Sequence, residues 1–370
     1  MIIVFVIVWG LISFIRNRIQ GVHPFGFVPK NQDGNFGCIL RVQETQETKN
    51  TFKLRAVHAP AKKIVLPDEY DARKEYPDYM SDVLDQQQCG SCWAFATASA
   101  LSDRIRIMTQ NQHLNQFAEL DGRTIRSQLS PFILAGCDFC NLSNSDKAYI
   151  QNAKEIKRHG KCNQKCDGGS IAYALIYLQE NGLISIACNN PLYRGKYVCH
   201  SLKGILQEDL ADPDRNHLCH MIKFGPATVI SLNQDEDLNS PEKLKENEEA
   251  IMAEIMTNGP VITGFMIHQN FSDFFRKHPG EVYRDNEQTA KEGGHAVVFL
   301  GWGVDENGVK YWIARNSWGP HWNNDGYFKI LRGINFCHCE SGVYASTPDK
   351  EWLDYVGQFE VAGVPPPKLW

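Results

Sequence analysis

Gln86-Gln87-Gln88-Cys89-Gly90-Ser91-Cys92-Trp93-Ala94-Phe95 is the stretch on which the reading of this chain turns. Gly90 and Ser91 make a small, sharp turn that delivers Cys92 to the start of a helical pattern. In that pattern Ala94, Phe95, Ala98, Leu101, Ile105 and Met108 recur at about the spacing of one helix face. A thiol at a helix N-terminus meets unpaired N–H groups and the positive end of the helix dipole, and both favour the thiolate. The thiolate is the nucleophile, so this is a place where a reactive cysteine belongs. Taken alone, the stretch also fits a buried structural cysteine ahead of a core helix.

The chain of 370 residues has room for one large or two small domains with extra segments. Hydrophobic residues make up 43% and aromatic residues 11%, which supports a packed core and excludes a disordered chain. Net charge is −5, and Lys and Arg are scattered without a basic stripe, so nucleic acid is not an expected partner. The 12 cysteines point to an oxidising compartment. Met1 to Ile15 is almost wholly apolar and is followed by Arg16 and Arg18. It falls short of the roughly 20 apolar residues of a membrane span. Residues 1–19 therefore read as a secretory signal, with an uncleaved anchor as the competing reading, and no stable membrane span is expected elsewhere.

Residues 20–65 hold scattered Gly and Pro, a polar run from Gln43 to Asn50, and one cysteine, Cys38. This position suits a short propeptide. Residues 66–345 form the main domain, helix-rich over about 66–190 and strand-rich over about 250–345, and 346–370 is a tail ending in a proline run. Within the domain, a second apolar run follows Leu129-Ser130-Pro131, and residues 141–161 read as a polar surface insert. A helix from Ile171 stops at Asn181-Gly182. Residues 200–239 read as irregular. Ser240-Pro241 opens a helix whose Leu244, Ile251 and Ile255 face the core and which Gly259-Pro260 ends. From Val261, short β-type runs alternate with glycine turns.

A thiolate nucleophile needs a partner that holds a proton and later delivers it to the leaving amine. Gly293-Gly294-His295-Ala296-Val297 places His295 at a strand entry. Further on, Tyr311-Trp312-Ile313-Ala314-Arg315-Asn316-Ser317-Trp318-Gly319 supplies Asn316, whose side chain can accept the other imidazole N–H, and Trp318, which can shield that bond from water. A Cys-His-Asn set in this order is a catalytic constellation. A competing class is a zinc-binding module, because Cys137, Cys140, Cys162 and Cys166 have near zinc-ribbon spacing. Asn141 and Asn270 head glycosylation sequons.

These motifs together resemble the papain family of cysteine peptidases, and the cathepsin B-like branch in particular. The resemblance runs from about Leu66 to Ala345 and rests on Leu66 to Pro77, the Cys92 motif, Gly293-Gly294-His295, Gly301-Trp302-Gly303 and Cys337-His338-Cys339-Glu340-Ser341. Ser102-Asp103-Arg104-Ile105 and Cys188-Asn189-Asn190 are similar to cathepsin X. The implied fold is α+β, a papain-like pair of domains with a helical half, a β-barrel-like half and the active-site cleft between them. The implied activity is peptide-bond hydrolysis in a lysosome-like vacuole or outside the cell, on peptide or protein substrates and without metal or organic cofactor. The enzyme's own propeptide and protein inhibitors of cysteine peptidases are the other implied partners.

The resemblance assigns Cys92 as nucleophile, His295 as acid and base, Asn316 as orienter and Gln86 as oxyanion donor. It makes Gly168, Gly169, Gly294, Trp318, Trp322 and Gly342 substrate-binding positions. Gly342 stands where cathepsin B carries an acid, and Phe95 replaces a cathepsin X histidine. The implied disulfides are Cys89–Cys166, Cys140–Cys162, Cys137–Cys199 and Cys188–Cys219, with Cys337 and Cys339 left free. Cys38 would cap Cys92 as a propeptide latch, with a free or intermolecular Cys38 thiol as the alternative. The segment from His200 to His220 matches the region of the cathepsin B loop that confers exopeptidase character, with an ordinary surface insertion as the alternative. A catalytically silent binding protein is the remaining alternative. The interval from Cys92 to His295 exceeds the roughly 130–150 positions usual for the pattern.

Overall fold

The computed structural model describes residues 64–110, 114, 116–136, 163, 165–188, 222–225, 227–230, 240–284, 289–349 and 351. The expected signal, the expected propeptide to residue 63 with Cys38, the stretch 141–161, the His200–His220 segment and residues from 352 lie outside the described residues, as do Asn141, Cys137, Cys140, Cys162, Cys199 and Cys219.

The domain begins with a short strand, β1 (Tyr70–Asp71), and one helical turn, α1 (Ala72–Glu75). Asp71 Oδ1 caps that turn by accepting from Arg73 N at 3.0 Å. The helix that the spacing predicts follows as α2 (Cys92–Thr109). It is buried on every side from Cys92 to Arg106, so it is a central helix and not an amphipathic one. Burying Trp93, Phe95, Leu101 and Ile105 contributes roughly 1.5–3 kcal/mol each. Met108, expected in the core, is 41% exposed, because the last turn projects past the packed layer. Burial of Asp103, Arg104 and Arg106 within this helix is sustained by ion pairs and carbonyl acceptors.

A hairpin of β2 (Phe117–Leu120) and β3 (Arg123–Arg126) comes next. Its two-residue turn, Asp121-Gly122, has both φ angles positive, 50° and 73°, which is the primed geometry that an Asp-Gly pair favours. Then come α3 (Pro131–Gly136) and α4 (Ile171–Asn181), which ends at Gly182 as expected. α2, α3 and α4 pack around one core with Ile262, Ala296 and Val298 of the sheet.

The strand-rich half contains β4 (Thr228–Val229), α5 (Pro241–Asn258), β5 (Val261–His268), α6 (Phe271–Lys277), β6 (Val282–Tyr283), β7 (Lys291–Val304), β8 (Lys310–Arg315), β9 (Tyr327–Leu331) and β10 (Tyr344–Ala345). Ser240 caps α5, accepting from Lys243 N, and Ile251 and Ile255 are fully buried, while Leu244 is half-buried. β4 gives a strand to a stretch that reads as irregular in sequence. The sheet order is β4-β10-β5-β7-β8-β9-β6, with β1 also on β7. β7 lies at the centre, paired antiparallel with β5 and β8. A second core, with Phe265, Phe299, Trp312 and Phe328, fills the space between the sheet and α5 and α6. A helical half and a sheet half are the α+β arrangement expected.

Candidate active site

Cys92 opens α2, where the first N–H groups of a helix have no intrahelical acceptor. The turn before it is tied down twice. Cys89 is disulfide-bonded to Cys166, and Gly90 N donates to Cys166 O at 2.9 Å. The Cys92 side chain is fully buried, and its sulfur is itself in a disulfide whose partner is not among the described residues. The geometry around it is therefore that of an oxidised sulfur. Ala296 N donates to Cys92 Sγ at 3.1 Å, so the residue next to His295 touches the sulfur across the junction of the two halves.

His295 sits in β7 opposite Phe265 and is 2% exposed. Its Nε2 lies 2.7 Å from Asn316 Oδ1. Ser317 N donates to the same oxygen at 2.8 Å, which fixes which end of the amide is oxygen. An amide oxygen only accepts, so Nε2 carries the proton of the neutral ring and Nδ1 is left as the base. Trp318 lies tilted against the imidazole at 4.9 Å between centroids. Burial lowers the His295 pKa to about 4, against a smaller upward push from the Asn316 hydrogen bond.

Gln86 is fully buried on the other side of the site. Its Nε2 donates to Cys89 O at 2.8 Å, and its Oε1 accepts from Ser317 Oγ. Ser317 carries no signal of its own in the sequence, although it lies inside the Asn316-Ser317-Trp318 run. It joins the Gln86 and Asn316 side chains.

The other expected positions divide. Gly168 has φ 109°, and a Cβ on Gly169 would come within 2.5–2.6 Å of Asn163 Oδ1 and the Trp93 indole. Glycine at 169 is thus required by packing against Trp93. Gly294 pairs with Met266 in the β5–β7 ladder, and Gly342 has φ 73°. Trp322 is only 8% exposed and packs against Trp318, Phe271, Phe275 and Phe328, so it supports the site from within an aromatic cluster. Cys188 is disulfide-bonded, and Cys337 and Cys339 are buried thiols outside any disulfide. Cys166 is committed to Cys89, which removes a ligand from the four-cysteine zinc set and overturns that alternative. Among the described residues no cluster of three or more His, Cys, Asp or Glu could hold a metal ion. No helix among them is long and apolar enough to cross a membrane.

Residues 66–161 and 156–347 match the sequence profile of the papain family cysteine protease. The chain belongs to the papain family of cysteine proteases. Cathepsin B-like CP2 of Giardia intestinalis is 32% identical over 285 residues, covering 77% of this chain and 75% of that protein. Tubulointerstitial nephritis antigen of Bos taurus is 32% identical over 288 residues, covering 76% of this chain and 52% of that protein. Among solved structures, proCathepsin B S9 from Trypanosoma congolense superposes with TM-score 0.57 at 23% identity, over 90% of this chain and 96% of that one. This papain-family chain is therefore cathepsin B-like in sequence and papain-like in fold.

Proposed function

We propose that this papain-family chain is a working peptidase in which Cys92, once reduced, attacks a peptide carbonyl. His295 Nδ1 takes the thiol proton, and the resulting thiolate is stabilised by the N-terminus of α2 and by the Ala296 N–H. The Cys92 N–H and Gln86 Nε2 receive the oxyanion. The C–N bond breaks as His295 passes its proton to the leaving amine, leaving a thioester on Cys92. His295 then activates water, which hydrolyses the thioester and returns the thiol. Asn316 holds the ring throughout. The observation that carries this reading is the His295–Asn316 bond at 2.7 Å beside a Cys92 sulfur held at 3.1 Å from Ala296 N.

The disulfide on Cys92 supports activation by reduction. The proposal includes Cys38 as its partner, a secretory signal over 1–19, a propeptide over 20–65, and action in a lysosome-like vacuole or outside the cell. Reducing the protein and digesting a peptide library at acid and neutral pH tests the reading, with Cys92→Ala as control. Cleavage that needs both reductant and Cys92 supports it. Absence of cleavage, with no labelling of reduced Cys92 by a thiol-reactive epoxide peptide, gives the silent alternative. The similarity to a protein named as an antigen is what keeps that second reading in view.

A further inference from the structure

We propose that Asp103 and Arg315 are positioning residues that set the place of Asn316 relative to Cys92, an inference that rests on the catalytic reading above. Asp103 belongs to α2, the helix that begins at Cys92, and Arg315 is the last residue of β8, directly before Asn316. Arg315 Nη2 meets Asp103 Oδ2 at 2.7 Å, with the two side chains 2% and 0% exposed. The pair is locked at both ends. Ser81 N donates to Asp103 Oδ1 at 2.7 Å, and Arg315 Nη1 donates to Ser81 O at 3.1 Å. Tyr327 of β9 is hydrogen-bonded to Arg315 as well. Burial by itself lowers the Arg315 pKa, but the Asp103 charge and Tyr327 reverse the shift, so the guanidinium stays charged.

Asn316 depends on this anchoring because the packing beside it is incomplete. A small cavity lies there, lined by Phe95, Ala96 and Ser99 of α2 and by Ala296, Arg315 and Asn316. Asn316 Nδ2 is buried without a hydrogen-bond partner. The side chain is held through Oδ1 alone, by His295 and Ser317, and its backbone through Asn316 N to Gly326 O at 2.9 Å. The Asp103–Arg315 pair therefore ties the strand end carrying the orienter to the rigid helix carrying the nucleophile. A misplacement of about 1 Å in such a constellation costs about a hundredfold in rate. Lysine at 315 keeps the charge but loses the planar fork, so it loosens the tie without removing it.

A double-mutant cycle decides the matter. Reduced wild type, Arg315→Lys, Asn316→Ala and the double variant are compared for kcat and KM on one fluorogenic peptide. Arg315→Lys is expected to lower kcat about tenfold with KM within about twofold, and to cost less than about twofold in the Asn316→Ala background. Equal losses in both backgrounds, or no loss in the first, overturn the proposal. If Arg315→Lys fails to fold, Asp103→Asn goes through the same cycle with the same outcomes. An Asn316→Ala variant as active as wild type overturns the catalytic reading and the brace together, whereas additive losses overturn the brace alone.

Discussion

Gln86 and Ser317 hold each other by two hydrogen bonds: Gln86 N donates to Ser317 O at 2.8 Å, and Ser317 Oγ donates to Gln86 Oε1. Gln86, the proposed oxyanion donor, is thereby fixed by the residue that follows Asn316, the proposed imidazole orienter, and the two sides of the site are set together. Gln86→Ala should lower kcat/KM by about a hundredfold or more, chiefly through kcat, because the lost donor acts on charge that develops in the transition state. Steady-state kinetics on a peptide substrate would show this, and an unchanged kcat would remove Gln86 from the mechanism.

Asn316→Ala removes the interaction that pushes the His295 pKa upward while leaving the burial that pushes it down. The His295 titration should therefore move below its value of about 4 in the capped protein, as followed by NMR of the imidazole. Activity of the reduced enzyme should fall about a hundredfold, the lower range of what oriented acid–base groups contribute. An upward shift would mean that Asn316 does not accept from the ring.

The same lowered pKa makes folding pH-dependent. An imidazole with a folded pKa of about 4 and an unfolded value near 6.5 binds fewer protons when folded, so its contribution is present above about pH 6.5 and is lost as pH falls toward 4. The loss amounts to at most about 3 kcal/mol. In a Cys92→Ala background, denaturant titrations at pH 7 and 4.5 should show a larger drop in stability with His295 present than with His295→Gln. Equal drops would show that the imidazole is not buried neutral.

Arg104 is 3% exposed and donates to Glu254 Oε1 at 2.6 Å, Gly259 O at 3.0 Å, Pro260 O at 3.3 Å and Ser346 O at 2.9 Å. It joins α2 to α5 and to the strand-rich half. Arg104→Met leaves a buried carboxylate without its partner and should destabilise the protein by about 3–5 kcal/mol. Arg104→Met/Glu254→Leu should recover much of that loss. A single variant within about 0.5 kcal/mol of wild type in chemical denaturation would refute the tie.

Cys92 should resist alkylation until a reductant is added, since a disulfide sulfur is not a nucleophile. Mass analysis of iodoacetamide-treated protein before and after mild reduction reads this directly. Peptide mapping of the unreduced chain identifies the partner, and a partner other than Cys38 rules out the propeptide latch. Asn270 presents a similar check. Its side-chain oxygen accepts from Tyr283 Oη at 2.7 Å and Thr289 Oγ1 at 3.3 Å at the start of α6, and a glycan at this sequon would join the nitrogen of the same amide, so unchanged mobility after glycosidase treatment counts against its use.

The sequence by itself determined the helix of Cys92, the caps at Ser240 and Gly182, the strands from Val261 onward, and the Cys92-His295-Asn316 candidates. Each of these is written in neighbouring residues: a repeat near 3.6, a capping hydroxyl before a proline, or a motif with its own local chemistry. Only the tertiary structure decided that α2 is buried all round, that Asp103 and Arg315 meet, that Ser317 joins Gln86 to Asn316, and that Trp322 belongs to an aromatic cluster. Charged and hydroxyl side chains read as surface in a sequence, since burying them unpaired is costly. Whether a partner waits across the core depends on strand register and helix packing between residues more than two hundred positions apart, as for Arg315 and Asp103. No local pattern in the chain carries that information.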